Sequence, residues 1–486
     1  MAQINPNFIK HIEQEIPSHL DLDEFLEYCQ RPLRQSIRVN TLKISVSDFI
    51  EKMRPQGWHF EPIPWCNTGF WLSTETDIQI GNTIEHHQGL FYIQEASSML
   101  PPEALFANND QTEYVLDVAS APGSKTTQLA AMMQNGGLLV ANEYSSSRVK
   151  ILHANTVRMG VSNVALTHFD GCVFGQYLFE TFDSILLDAP CGGEGTIRKD
   201  PLALKHWDVT DVKAISETQK QLIESAFLAL KPGGTLVYST CTLSQMENQA
   251  ICHHLQQAYP DAVEFIPLVD LFLGADKATT AEGFLHVWPQ IFDSEGFFIA
   301  KIRKITSVER TSKLPKKQKK KQKQFPFTPV AKKDFSQLSK YFSQNFDIEL
   351  PDPNMIYQRD EELWLFPEQF IPLIGNMRFQ RIGVKLADKM KKGYKIKHEA
   401  LIALSPVPCV HQRSIALSAT QAKDFMMGKD IALQSFDENT ISTLAEIEHG
   451  EMVATYHDVA LGMVKHLGHR LKNNLPRDLV KNSIQI

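Results

Sequence analysis

The chain has 486 residues, 43% of them hydrophobic and 22% charged, with a formal net charge of -7. That length exceeds one ordinary core and predicts two or three domains, while the negative balance excludes a uniformly basic nucleic-acid coat and leaves local basic patches open. Seven scattered cysteines without a CxxC pair (Cys29, Cys66, Cys172, Cys191, Cys241, Cys252, Cys409) exclude a paired-cysteine zinc or redox motif and predict reduced thiols.

The N-terminus has no basic stretch followed by an apolar core, and no segment reaches the roughly 18 apolar residues of a membrane span. The expectation is a cytoplasmic protein with no membrane partner. Residues 1–105 open with helical HIEQEIPSHLDLDEFLEYCQ, continue through a basic, strand-like RQSIRVNTLKIS and carry aromatic residues at Trp58, Trp65, Phe70 and Trp71. Their last part, FYIQEASSMLPPEAL, spaces apolar groups as a helix does until Pro101 and Pro102 interrupt it. This reads as an N-terminal extension that carries Arg34 and Arg38.

Over 106–305, strand-like runs alternate with helical ones: EYVLDVAS and KTTQLAAMM, GGLLVANE and SSRVKILHANTVRMG, VALTHFD, FDSILLDAP, then ISETQKQLIESAFLAL before GGTLVYSTC. Such alternation predicts a mainly parallel α/β sheet covered on both faces, with EGFFIAKIRK as a closing edge strand. Residues 306–333 are rich in lysine and glutamine without periodicity and read as a linker. Residues 334–486 resume as a smaller module with β-like pieces (MIYQRDEELWLFP, MVATYHDVALGMVKHLG) and a basic run from Arg378 to Lys397.

Ligands of such sheets bind outside the carboxyl ends of the strands, where the candidate residues fall. In LDVASAPGSKT a strand ends at Asp117, and Ala119, Ser120, Ala121, Pro122, Gly123, Ser124 and Lys125 form a tight turn whose N–H groups can face a ligand. The turn matches neither GxGxxG nor GxxxxGK[ST], so no triphosphate is implied. Glu143 and Asp170 close the next two strands, placed for a ribose diol and an adenine amino group; the plain alternative for each is a helix cap or a solvated loop residue. Asp188 and Cys191 follow a fourth strand in DAPCGGEG, and Cys241 ends TLVYSTC. A buried cysteine is ordinarily an inert small hydrophobe, but one at a strand end facing a cofactor cleft suggests covalent catalysis. After Cys241, Ser244 as N-cap with Glu247 three residues later predicts a helix start whose N–H groups help stabilise a thiolate.

APGSKT, a strand-end Glu, DAPCGGEGTIRKDP and YSTCTL together closely resemble the RNA 5-methylcytosine methyltransferases of the NOL1/NOP2/Sun family, over about residues 30–305. The tail segments HFDGCVFG, RIGVKLADKMKKGYKIKHEA and RLKNNLPRDLV are similar to a bacterial branch that acts on 16S ribosomal RNA and ends in a PUA-like module. The resemblance implies a Rossmann-like S-adenosylmethionine-dependent fold with an RNA-binding N-terminal extension and a C-terminal PUA-like α+β module. It implies that Ala119 to Lys125, Glu143, Asp170 and Asp188 hold S-adenosylmethionine, that Cys241 is the nucleophile, that Cys191 helps release the methylated product, and that Asp188 holds the base by its N3/N4 edge. It further implies a monomer acting on 16S ribosomal RNA within the small subunit, with Arg34 and Arg38, the lysine-rich linker and the Arg378 to Lys397 run as candidate phosphate contacts, a solvated tether being the plain alternative for the linker. Ser120 and Gly193 depart from commoner family residues and leave both thiols in place. Two other functions remain open from sequence: the same chemistry on transfer RNA or another ribosomal site, and a non-catalytic assembly factor, which intact Cys191 and Cys241 argue against.

Overall fold

The computed structural model describes residues 3–108, 112–310 and 325–485. Among these, a nine-stranded sheet forms the centre, in the order Val263–Ile266, Phe297–Lys304, Leu230–Thr240, Phe182–Asp188, Tyr114–Asp117, Leu138–Asn142, Val164–Thr167 and Arg381–Ile382, with Leu285–Val287 paired to Phe297–Lys304. The strands from Leu230–Thr240 through Val164–Thr167 run parallel. The chain lays strands outward from Tyr114–Asp117 on one side and then returns to its other side with Phe182–Asp188. That reversal opens the crevice in which doubly wound sheets bind ligands.

Alternate residues face opposite sides, which is why these strands read as near-continuous apolar runs. Leu116, Leu138, Val140, Ile185, Leu187 and Leu236 face one core with Leu222, Ile223, Ala226 and Phe227 of helix Val209–Ala229. Val115, Leu139, Ala141, Leu186 and Val237 face the other, against Leu129 and Ala130 of helix Ser124–Met132 and Leu152 and Met159 of helix Ser146–Met159. The flanking regions extend both layers: Trp65, Trp71 and Tyr92 join the second core, and Trp364, Phe366 and Phe370 the first. The chain after 324 builds two five-stranded sheets rather than one module, Thr328–Pro329 through Tyr394–Ile396 and Ser414–Ala416 through Ile431–Ala432.

Several expectations change in the folded chain. Phe297–Lys304 is not an edge strand, because Val263–Ile266 pairs outside it, and the opposite edge is covered by Arg381–Ile382 from the C-terminal region. Pro101 and Pro102 do not interrupt a helix; they sit in the first turn of Leu100–Phe106, where a missing N–H costs nothing. The lysine-rich centre of the proposed linker lies outside the described residues, whereas Phe325 and Phe327 after it pack against Phe366 and Trp364. Within the basic run, Arg381 pairs with Glu399, Lys385 with Glu362 and Asp388, Lys389 with Asp334 and Lys397 with Asp388. Arg378, Lys391, Lys392 and Lys395 are its exposed cations.

Arg38 is likewise not a phosphate contact. It is 1% exposed and donates to Gln94 Oε1 at 2.9 Å, the Ser124 carbonyl at 2.8 Å and Thr127 Oγ1 at 2.9 Å, tying the N-terminal sheet to the glycine-turn helix. Arg38→Ala strands these acceptors and is expected to cost on the order of 3 kcal/mol in chemical denaturation. The salt dependence of RNA affinity is expected to stay unchanged, whereas loss of a true phosphate contact lowers its slope by about 1.

Candidate active site

Three loops leave the carboxyl ends of the central strands and meet at the reversal point. The first is the glycine turn after Asp117. Ser120 donates its N–H to the Asn142 carbonyl at 2.8 Å and its hydroxyl to the Asp117 carbonyl at 2.9 Å, folding the chain back on its own strand. Arg148 donates to the Ala121 carbonyl at 2.5 Å and Asn155 to the Pro122 carbonyl at 2.8 Å, which fixes the outer wall. Gly123 then enters the helix with φ +111°, and a Cβ there would lie 3.1 Å from Leu152, so both conformation and space require glycine.

Glu143 directly follows the neighbouring strand and is 3% exposed. Its carboxylate accepts the Ser145 N–H at 2.7 Å and lies 3.4 Å from Arg148. Asp170 is exposed and caps the turn Gly171–Val173 by accepting the Cys172 N–H at 2.9 Å, so the plain role anticipated for it is present in the fold. Asp117 is buried, with one oxygen accepting from Thr126 at 2.7 Å and the other without a protein partner; burial, above all, pushes its carboxyl up to about 7.

Asp188, across the crevice, is held from two sides: Lys125 Nζ donates at 2.8 Å and Ser239 Oγ at 2.8 Å. Lys125 also reaches Ser98 Oγ at 2.8 Å and lies 5.2 Å from the centre of the Phe297 ring. Burial pushes its ammonium down, but Asp188, then Cys241 and Asp117, raise it further, leaving it above the ordinary lysine value and charged.

The two cysteine loops close the site. Cys191 and Cys241 are half-buried and unbridged, with their sulfurs 3.3 Å apart. The Gly195 N–H donates to the Cys241 carbonyl at 3.0 Å, and the Gly296 N–H to the Gly195 carbonyl at 3.1 Å. The Cys191 thiol is pushed well up, first by its hydrogen bond to the Cys241 sulfur and then by burial. Beneath the loops, helices Pro6–Glu15 and Leu22–Gln30 contribute Phe8, Ile12 and Phe25 to a cluster with Ile197, Trp207 and Leu243.

The structure therefore sets Lys125 against Asp188 and Cys191 against Cys241, links Glu143 to the glycine turn through Arg148, and leaves Asp170 exposed. It corrects the expected helix start at Ser244: the helix runs Gln249–Ala258, its N-cap is Asn248, and the Ser244 hydroxyl is buried without a partner. Glu247 instead turns toward the Cys191 loop and accepts the Gly192 N–H at 2.9 Å. Sequence reasoning missed Glu247 and Glu194; the closely spaced Gly192, Gly193 and Gly195 around Glu194 were the available signal of tight packing.

A family model described as 16S rRNA methyltransferase RsmB/F matches residues 104–303. Models for the N-terminal, pre-PUA and PUA domains of RsmF match 4–96, 327–404 and 412–481. Ribosomal RNA small subunit methyltransferase F of Shewanella frigidimarina is 67% identical over 486 residues, covering all of both chains. The chain belongs to the 16S rRNA methyltransferase RsmB/F family. Its similarity extends to the Shewanella loihica methyltransferase F, 61% identical over all of this chain and 97% of that one. A solved methyltransferase homolog from Pyrococcus horikoshii is 37% identical with a TM-score of 0.51, covering 62% of this RsmB/F chain and 100% of its own. The NSun6 structure from the same organism, 21% identical with a TM-score of 0.55, shares the fold over 63% of this chain and 99% of its own.

Gly195 gives a direct test of the loop packing. A Cβ there would lie 2.1 Å from the Gly296 carbonyl oxygen and 2.9 Å from that of Cys241. Gly195→Ala is expected to lower the melting temperature and, in the protein that remains folded, to reduce methyl transfer at least about tenfold, because a shift of about 1 Å can cost about a hundredfold in rate.

Proposed function

We propose that this chain methylates C5 of a cytosine in 16S ribosomal RNA, using S-adenosylmethionine, with Cys241 as nucleophile and Cys191 as the thiol that helps resolve the adduct. The observation that carries this reading is the pair of free thiols 3.3 Å apart beside the Lys125–Asp188 ion pair. Transfer to an exocyclic nitrogen or a ribose oxygen needs no thiol nucleophile. Transfer to C5 of cytosine does, since that carbon is a poor nucleophile until a thiolate has added to C6.

The residues fit the cofactor on three observations. Glu143 offers a buried carboxylate just past the neighbouring strand, Gly123 turns the chain at a φ of +111° that favours glycine, and Asp117 has an acceptor oxygen without a protein partner. Ala119 to Lys125, with Glu143, Asp170 and Asp188, would hold the cofactor, which when bound supplies an electrophilic methyl group on a sulfonium. The Cys241 thiolate would form a bond to C6 and direct the C5–C6 π pair onto C5, the carbon that would receive the methyl group, the broken C–S bond's electron pair staying with the cofactor's sulfur. Asp188, fixed by Lys125 and Ser239, holds the N3/N4 edge as the ring changes charge. Loss of the C5 proton to a base or water restores the double bond, and the S–C6 pair returns to the Cys241 sulfur.

The target base must leave any stack, at a cost of a few kcal/mol if paired, so RNA contacts elsewhere offset that cost. Residues 1–105 and 334–486 are the proposed RNA-binding regions flanking a catalytic domain at 106–305, with Arg34, Arg378, Lys391, Lys392 and Lys395 as exposed or half-exposed cations. In this reading the protein works in the cytoplasm as a monomer on the small subunit. Bisulfite sequencing of ribosomal RNA from a deletion strain tests it directly: one lost 5-methylcytosine in 16S RNA supports it, and loss from transfer RNA alone moves the substrate.

Cys241→Ser is expected to abolish methyl transfer while cofactor binding survives, because a hydroxyl is far less ionised than a thiol. Cys191→Ala is expected to leave a protein–RNA species on denaturing gels that Cys241→Ala and the double variant lack; a trapped species in Cys241→Ala alone reverses the two roles. Glu143→Ala is expected to weaken S-adenosylmethionine binding in calorimetry by roughly 1.5 to 3 kcal/mol, the worth of hydrogen bonds to a charged group. Unchanged affinity removes Glu143 from the site.

A further inference from the structure

Two carboxyl groups lie under the cysteine loops and touch neither the glycine turn nor the crevice wall described above. Glu247 accepts the Gly192 N–H at 2.9 Å and Gln219 Nε2 at 2.8 Å, and the same Gln219 nitrogen donates to the Pro190 carbonyl at 2.9 Å. Both neighbours of Cys191 in the chain are thus tied to one assembly. From the other loop, the Thr242 hydroxyl donates to Glu194 and lies 3.3 Å from Glu247 Oε1, so the residue after Cys241 joins the same assembly. Trp207 Nε1 donates to Glu194 at 2.9 Å and the Tyr238 hydroxyl to the Glu247 carbonyl at 2.6 Å. Glu194 is 1% exposed and Glu247 is fully buried. A Cβ on Gly192 would lie 2.9 Å from an oxygen of each, which places both carboxyls against the backbone that carries Cys191.

The two sulfurs therefore meet different fields. Cys191 faces two buried carboxyl groups, while Cys241 lies within electrostatic reach of the Lys125 ammonium. A carboxylate behind a thiol disfavours its ionisation and an ammonium favours it. We infer that Glu247, backed by Glu194, is a positioning residue that docks Cys191 on the Cys241 sulfur and gives the two thiols different electrostatic surroundings. Burial and then Glu194 push the Glu247 carboxyl up to about 7, so the charge behind Cys191 grows as pH rises through neutrality. The other titratable or charged groups facing this assembly are Cys241, Tyr238, Lys125, Asp188 and, on the Glu194 side, His11.

This inference rests on the thiol chemistry proposed above but is tested without RNA or cofactor, so the failure of one is distinguishable from the failure of the other. Initial rates of iodoacetamide labelling are measured across pH on the reduced full chain, with Cys191 and Cys241 peptides resolved by mass spectrometry. In the native protein Cys191 is expected to label only well above neutral pH, as its raised thiol requires; ready labelling of Cys191 near neutrality overturns the inference whatever the variants do. Glu247→Gln keeps the acceptor for Gly192 and removes the charge, and is expected to lower the Cys191 midpoint by about one pH unit or more, the scale of a nearby like charge. Glu194→Gln is expected to act in the same direction, and Glu247→Asp, which restores the charge, to bring the midpoint back toward native. If both glutamine variants melt like the native protein and leave the Cys191 midpoint in place, Glu247 has no such role.

Discussion

The ion pair between Lys125 and Asp188 spans the point where the strand order reverses, and the site is arranged around it. Lys125 begins the helix after the glycine turn and Asp188 ends the strand on the opposite side, so the pair locks two walls of one crevice together. Both partners are partly withdrawn from water, and a buried charge survives only with a partner. Ser98 and Ser239 satisfy further bonding positions of the pair, and the Phe297 ring packs against the ammonium. The carboxylate is thereby oriented before any base arrives, and a preoriented group does not have to reorganise during reaction.

The flanking regions act on the site as scaffolds. The first two helices place Phe8, Ile12 and Phe25 beneath the segment that carries Cys191, and Arg198 of that segment donates to the Arg31 and Pro32 carbonyls and pairs with Asp293. From the opposite end of the chain, Arg381–Ile382 extends the central sheet and Trp364, Phe366 and Phe370 deepen one of its cores. An 11-residue strand ending at Thr240, just before Cys241, and a loop bearing Cys191 hold their sulfurs at 3.3 Å against layers that fill the space behind them.

Around the thiols, burial and charge pull in separate directions. Cys29, Cys66 and Cys252 are buried, and burial pushes each thiol up, to about 12 for Cys29 and Cys66 and well up for Cys252, as expected of inert packing groups. Cys191 and Cys241 alone among the seven share a contact, and they lie between an ammonium and two carboxyls. That electrostatic setting distinguishes the pair from the other cysteines more sharply than exposure does.

The alternation of apolar runs with amphipathic helical stretches was enough to determine the parallel α/β centre, because a strand buried on both faces must be apolar throughout. Loop composition determined where the candidate residues fall: Asp117 and Asp188 end strands, Glu143 follows one directly, and Cys191 and Cys241 sit in loops after strands. Contacts across hundreds of residues are not written in local periodicity. Arg38 reads as a basic strand residue and becomes a buried tie to Ser124 and Thr127; the run from Arg378 to Lys397 reads as a basic patch and spends much of its charge on Glu362, Asp388, Asp334 and Glu399. Glu247 shows the division most clearly. Its local spacing from Ser244 matches a capping box worth about 1 kcal/mol. Only the folded chain brings Gly192 and Gln219, 55 and 28 residues away, to its carboxyl, and two hydrogen bonds to a buried acid outweigh one cap.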